Sequence, residues 1–314
     1  MQKTPRKEKW VEIVLATPDE LSDALANFVT EIGAQGVFQE ELIADSFTDI
    51  SSSTPHSELK AYLPWGPETK KQIASLKKYI RALGTLFPHL EKPTITTNTI
   101  IDPDWGEQWK RYYKPVRISD DIVIKPTWER YAPVGRDIVV DIDPGMAFGT
   151  GQHPSTRMCI VAMEKIITAS RLAREWNVLD IGTGTGILAI CCAKLGVRKV
   201  TAIDLDPLAI EIAGKNIGIN SVGNRVEILN RDAAMCKGHY DLIIANLTAN
   251  VLIKLRPHII RMANPGAYMI LSGIIAQDTS NIETIFQTSE VTIHDTLIEK
   301  EWICYVLKKR SAHH

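Results

Sequence analysis

The sequence predicts an α/β protein on a doubly wound, mostly parallel sheet, preceded by a small ferredoxin-like α+β domain. Three observations carry this expectation. From about residue 157, short continuously apolar runs alternate with helical stretches: "NVLDIG", "KVTAIDLD", "RVEILN", "YDLIIANL" and "AYMILSGI". Such runs belong to strands covered on both faces, and their alternation with helices implies a parallel sheet. The first hundred residues instead read βαββαβ, the order of a ferredoxin-like sandwich, which by itself implies no activity. Finally, the 314-residue chain exceeds the roughly 250 residues that a single core usually supports.

Taken in order, "KWVEIVLAT" has strand character. "PDELSDALANFVTEIGA" then puts Leu21, Leu25, Phe28, Val29 and Ile32 on one helical face and closes on glycine. "QGVFQEELI" and "ELKAYLPW" read as strands on either side of the serine-rich "SFTDISSSTPHS". A second helix turns Ile73, Leu76, Ile80 and Leu83 inward and a lysine-rich face outward, which reads as a solvated face. "PTITTNTI" supplies a fourth strand. Residues 102–131 hold three of the seven tryptophans, Trp105, Trp109 and Trp128. So aromatic a stretch reads as a packed connector, its rings sealing a seam. The expected division is 1–100 for the small domain, 101–131 for the connector and 132–314 for the large domain.

Composition narrows the class. Apolar residues are 45% and charged residues 23%, with a net charge of −1; this is the balance of a soluble globular protein and offers no overall field for polyanions. No apolar stretch is long enough to span a bilayer. The basic N-terminus lacks the apolar core of a secretory signal, so a cytoplasmic location is expected. Five cysteines without a C-x-x-C pair read as reduced thiols rather than a disulfide framework or a metal site, and Cys191 and Cys192 as core residues.

Two glycine-rich segments carry the chemistry. "VLDIGTGTGILAI" reads as strand, turn and helix start, and Gly182, Gly184 and Gly186 permit close approach of a ligand to helix N–H groups. A dinucleotide fingerprint would need its third glycine at 187, where Ile187 stands. G-x-G-x-G after an acid, here Asp180, resembles instead the first motif of class I S-adenosylmethionine-dependent methyltransferases. Asp204, ending "AID", is positioned to accept ribose hydroxyls. Asp206, before Pro207, reads as a helix cap. Asp232 in "NRDAA" is either an adenine contact or a plain loop aspartate. Asn246, ending "LIIAN", offers an acceptor and two donors where a methyl group would be exchanged.

With the other glycine segment included, the chain resembles the bacterial methyltransferases of large-subunit ribosomal protein eleven, the PrmA family. The resemblance spans nearly the whole length through "DWGEQWK", "DPGMAFGTGQHPST", "LDIGTGTGILAI", "IDLDP", "ANLTANVL", "LSGI" and "EKEWICYVLKK". "DPGMAFGTGQHPST" is the discriminating stretch, although a sister group that methylates lysines of an electron-transfer flavoprotein subunit shares much of it.

The resemblance implies the class I methyltransferase fold and S-adenosyl-L-methionine as cofactor, released as S-adenosyl-L-homocysteine. It implies cofactor contacts at Thr156, Gly182, Asp204 and Asn246, with Phe148, Gly149 and Thr150 lining the same site; Gly184, Asp180 and Asp232 are also expected to bind the cofactor. Asn246 and Phe148 are the expected catalytic pair. His153 is either a base or a brace for its loop. The implied substrate is the lysine side-chain and N-terminal α-amines of ribosomal protein eleven, captured by the small domain before ribosome assembly. Two alternatives stay open: lysine methylation of another protein, and a noncatalytic module on a methyltransferase scaffold. Nucleic-acid methylation is disfavoured, because the fourth run ends "ANLT" rather than in an N-P-P-Y/F-type tetrapeptide.

Overall fold

A computed structural model describes residues 9–41, 56–101, 114–143, 151 and 153–311. Contacts divide the chain into two units, Met1–Tyr113 and Lys114–His314.

The first unit runs β1 (Lys9–Pro18), α1 (Asp19–Glu31), β2 (Gln35–Glu41), β3 (His56–Pro64), α2 (Thr69–Leu86) and β4 (Thr94–Ile101). Its antiparallel sheet has the order β2-β3-β1-β4. Alternation along β1 explains why it sits centrally: Val11, Ile13 and Leu15 lie opposite Leu63, Ala61 and Leu59 of β3, all buried on one face. Leu21, Leu25 and Val29 of α1 and Leu76, Ile80 and Leu83 of α2 close the same core. Phe28 stacks on Tyr79 at 4.1 Å, joining the two helices.

The second unit begins within the stretch read as a connector. Residues 114–131 contribute β5 (Val116–Arg117) and β6 (Ile122–Lys125). Together with β7 (Ile138–Asp141) they form a three-stranded sheet in which β6 and β7 are parallel. Trp128 lies here, half-buried, while Trp105 and Trp109 fall outside the described residues.

After β7 come α3 (Pro154–Ala169), β8 (Asn177–Ile181), α4 (Ile187–Lys194), β9 (Lys199–Asp204), α5 (Pro207–Ile219) and β10 (Val226–Asn230). β11 (Tyr240–Asn246), α6 (Ala249–Met262), β12 (Ala263–Ile275), α7 (Thr279–Phe286), β13 (Val291–Glu299) and β14 (Trp302–Lys309) complete the chain. The seven strands order as β10-β9-β8-β11-β12-β14-β13. Those from β8 to β12 are parallel, and β14 runs antiparallel to both its neighbours. Each apolar run of the sequence is a strand, and apolar clusters cover both faces of the sheet. All five cysteines are buried and unbridged. Among the described residues no helix is long and apolar enough to cross a membrane.

Strand order reverses between β8 and β11: the chain runs outward through β9 and β10 on one side, then returns to β11 on the other. A crevice at the carboxyl ends of the strands opens at such a switch point, which is where doubly wound sheets hold their ligands.

Candidate active site

Three neighbouring strands deliver three of the expected residues to this crevice. β8 leads into Gly182–Gly186, β9 ends on Asp204 and β11 ends on Asn246. The glycine turn is pinned at its start, because the amides of Gly182 and Thr183 both donate to Ile203 O, at 2.9 and 3.0 Å. At Gly182 φ is +73°, and a Cβ there would lie 2.6 Å from Leu247 Cδ2. Any side chain would therefore fill the space between the turn and the residue after Asn246.

Asp180 lies beneath the turn, fully buried. Its Oδ2 accepts from the Thr183 hydroxyl at 2.6 Å, while its Oδ1 is buried without a hydrogen-bond partner. Burial pushes its pKa up to about 6, against the opposing hydrogen bond of Thr183. Asp180 is thus placed to support the turn from below.

Asp204 is half-buried at the tip of β9. Its Oδ2 accepts from Gly184 N at 2.9 Å and its Oδ1 from Asp206 N at 3.0 Å. A carboxylate has about four acceptor positions, so each oxygen retains capacity for a hydroxyl of a bound ligand. Asp206 accepts from Leu208 N at 2.9 Å and caps α5 with Pro207 behind it, as its sequence context predicts. Asp232, exposed, accepts from Ala234 N at 2.8 Å and caps a short turn after β10.

On the other side of the crevice, Asn246 Nδ2 donates to Thr156 Oγ1 at 3.2 Å, across 90 positions of sequence. The bond joins the strand end to the end of "DPGMAFGTGQHPST". It engages an amide hydrogen and leaves Asn246 Oδ1 as an acceptor. Thr156 is buried in the first turn of α3. His153 caps that helix: its Nδ1 accepts from Ser155 N at 3.2 Å and lies 2.6 Å from Ser155 Oγ, while its ring meets Trp302 edge-on at 4.7 Å. Of the two roles weighed for His153, these contacts are those of a brace. Phe148, Gly149 and Thr150 lie outside the described residues.

Sequence reasoning missed several residues that hold this arrangement. Buried Ser272 donates from Oγ to Ser155 O at 3.1 Å, and its carbonyl accepts from Leu247 N at 3.0 Å. Gly273 follows at φ +81°, inside a register irregularity between β12 and β14. Its Cα side abuts Leu247 so closely that a Cβ would lie 2.6 Å from Leu247 O. Irregularities of this kind re-aim side chains beside active sites. The fragment "LSGI" was legible as the end of an apolar strand run, but not the roles of Ser272 and Gly273, since their partners lie far away in sequence.

The chain matches the family model of the ribosomal protein L11 methyltransferases (PrmA) over residues 9–310. It is 36% identical over 303 residues to a ribosomal protein L11 methyltransferase of Citrifermentans bemidjiense, covering 96% of this chain and 98% of that protein. It is 35% identical over 317 residues to the protein of that name from Exiguobacterium sp., covering 96% and 99%. A crystal structure of ribosomal protein L11 methylase from Lactobacillus delbrueckii subsp. bulgaricus superposes with a TM-score of 0.57 at 30% identity, covering 63% of this chain and all of that one. With its strand order, its glycine turn and the Asn246–Thr156 pair in place, the chain belongs to the ribosomal protein L11 methyltransferase (PrmA) family.

Proposed function

We propose that this protein is a cytoplasmic, S-adenosylmethionine-dependent N-methyltransferase. It acts on lysine side-chain and N-terminal α-amines of ribosomal protein L11, met as the free protein before assembly. The observation that carries the reading is the convergence of the glycine turn, Asp204 and the Asn246–Thr156 pair on one switch point. Family membership and the names of the relatives support the choice of substrate.

The residues fit the cofactor. The turn is closed to side chains at Gly182, Asp204 keeps acceptor capacity for two ribose hydroxyls, and Asp232 stands at the next strand end for the adenine amino group. Phe148, Gly149 and Thr150 complete the lining in this reading. When bound, the cofactor would supply a sulfonium methyl, electrophilic at carbon, to the lone pair of a substrate amine, with S-adenosylhomocysteine as the leaving group.

A lysine amine has an unperturbed pKa of about 10.4 and an α-amine of about 7.7–8.0, so the nucleophile must first lose a proton. Because Thr156 holds an amide hydrogen of Asn246, the amide oxygen can accept an N–H of the amine and aim its lone pair. Positioning and desolvation then supply the rate, with His153 serving as the helix cap and Phe148 beside the amine's entry. The small domain captures the protein substrate.

Locating the label after incubation with methyl-labelled cofactor and either ribosomal proteins or nucleic acid tests the reading. Label on amines of L11 is expected. Label on nucleic acid alone, or on another protein in preference to L11, would overturn the choice of substrate.

A further inference from the structure

The two glycine segments are separate in sequence, yet one buried side chain of α5 bonds to both. Asn216 is 1% exposed. Its Nδ2 donates to Thr185 O at 2.9 Å, inside "DIGTGTG". Its Oδ1 accepts from Asp143 N at 3.2 Å, the residue that opens "DPGMAFGTGQHPST". One turn on, Asn220 is also buried but reaches neither segment: it accepts from Asp141 N at 3.0 Å and donates to Asp141 O at 2.6 Å, at the end of β7, and to Asn216 O at 2.9 Å. An i,i+4 pair shares one helix face, and here two asparagines interrupt a buried face otherwise formed by Ala209, Ala213 and Ile217.

Other contacts make α5 a fixed reference for both segments. A Cβ on Gly186 would lie 3.2 Å from Ala213 Cβ, so the helix packs directly on the end of the glycine turn. Gly151, late in the other segment, comes so close to α4 that a Cβ there would meet Ile187 Cδ1 at 3.0 Å. The longer segment is thus tied to α5 at Asp143 and set at Gly151 against the helix that grows from the other. A buried asparagine satisfied by two backbone groups of different loops fixes their separation, because losing either bond leaves a buried polar group unpaired.

We propose that Asn216 is a positioning residue that couples the glycine turn "DIGTGTG" to Asp143, so that cofactor held by the turn also fixes the backbone at Asp143. The proposal rests on the cofactor reading above. Asn216 itself touches neither cofactor nor substrate; it acts through Thr185 and Asp143.

The test uses the full chain with S-adenosylhomocysteine as probe. Calorimetry on the wild type comes first, and absence of binding there would remove the cofactor reading itself. Given binding, Asn216→Ala is expected to weaken it about tenfold, as loss of one buried hydrogen-bonding side chain should. Asn220→Ala, on the same face and also buried, is expected to change affinity by less than about threefold while lowering the urea midpoint comparably. Equal affinity losses in the two variants, or wild-type affinity in Asn216→Ala, would overturn the coupling. Should Asn216→Ala not fold, amide exchange in the wild type decides: the probe is expected to slow exchange at Asp143 together with Thr183–Gly186. Slowing confined to the glycine turn, with Asp143 unchanged, contradicts the proposal.

Discussion

Substituting Gly273 by alanine should damage catalysis more than any other single methyl group added to the large domain's sheet. At φ +81° an added Cβ would lie 2.6 Å from Leu247 O, 2.9 Å from Leu247 C and 3.1 Å from Asn246 Oδ1. Carbon contacts relax at about 3.5 Å or more, so the Leu247 backbone must retreat by roughly 1 Å. The left-handed conformation alone costs an alanine about 1 kcal/mol, and forced repacking adds about 1–3 kcal/mol. Gly266, in the same strand at φ +79°, separates these contributions, because its Cβ would meet nothing closer than Ser311 Oγ at 3.4 Å. Gly266→Ala should therefore show only the conformational cost. Urea unfolding of both variants gives the stability difference, and turnover at saturating cofactor gives the functional one. A displacement of about 1 Å at a positioning group costs on the order of 100-fold in rate, so that loss is expected for Gly273→Ala and not for Gly266→Ala. If the two variants unfold alike and Gly273→Ala turns over within about threefold of wild type, the argument that Gly273 sets the position of Asn246 is wrong.

Three further outcomes follow from the site. The pKa of Asp180 is raised to about 6 from an ordinary 3.8, so its protonated form is favoured by folding. Its stabilising contribution is therefore present below about pH 4 and lost as pH rises through about 6, on the order of 3 kcal/mol at about 1.4 per unit. Asp180→Asn should remove this dependence, as read from urea midpoints at several pH values; an unchanged pH profile would contradict the burial argument. Asp204→Ala should weaken S-adenosylhomocysteine binding by about 10- to 100-fold, since bonds to a charged acceptor are lost, and wild-type affinity by calorimetry would rule out the ribose role. Asp206→Ala, two residues away, should cost about 1 kcal/mol of stability through its cap and leave that affinity nearly unchanged; a large affinity loss would show that the cap assignment is incomplete.

The fold was legible where burial and periodicity coincide. Five apolar runs marked β8 to β12 because strands covered on both faces need continuous apolar sequence. The small domain was legible because Val11, Ile13 and Leu15 alternate and the helices repeat at their own period. β5, two residues long, and β6 were hidden inside an aromatic stretch, since so short a strand has no period to read. The antiparallel hairpin of β13 and β14 was not read from the sequence, where "EKEWICYVLKK" entered only as part of the family resemblance.

Among site residues, Asp204, Asp206 and Asn246 could be placed because strand ends are local features. Asn216, Ser272 and Gly273 could not, because their roles depend on partners 31, 117 and about 26 positions away. One local signal for Asn216 did exist: two asparagines four apart in "AIEIAGKNIGIN", at helical spacing from Ala209 and Ala213 and off the face that carries Glu211 and Lys215. A polar pair on a buried face must bond to something.

Single-turnover methyl transfer to L11 by Asn246→Ala, at saturating cofactor and with binding verified by calorimetry, tests the central claim most directly. With the amide gone, Thr156 Oγ1 loses its donor and the amine loses its acceptor. The variant should still bind S-adenosylhomocysteine but transfer methyl on the order of 100-fold more slowly than wild type. Transfer at the wild-type rate would show that the chemistry does not pass through the switch-point residue at the end of β11.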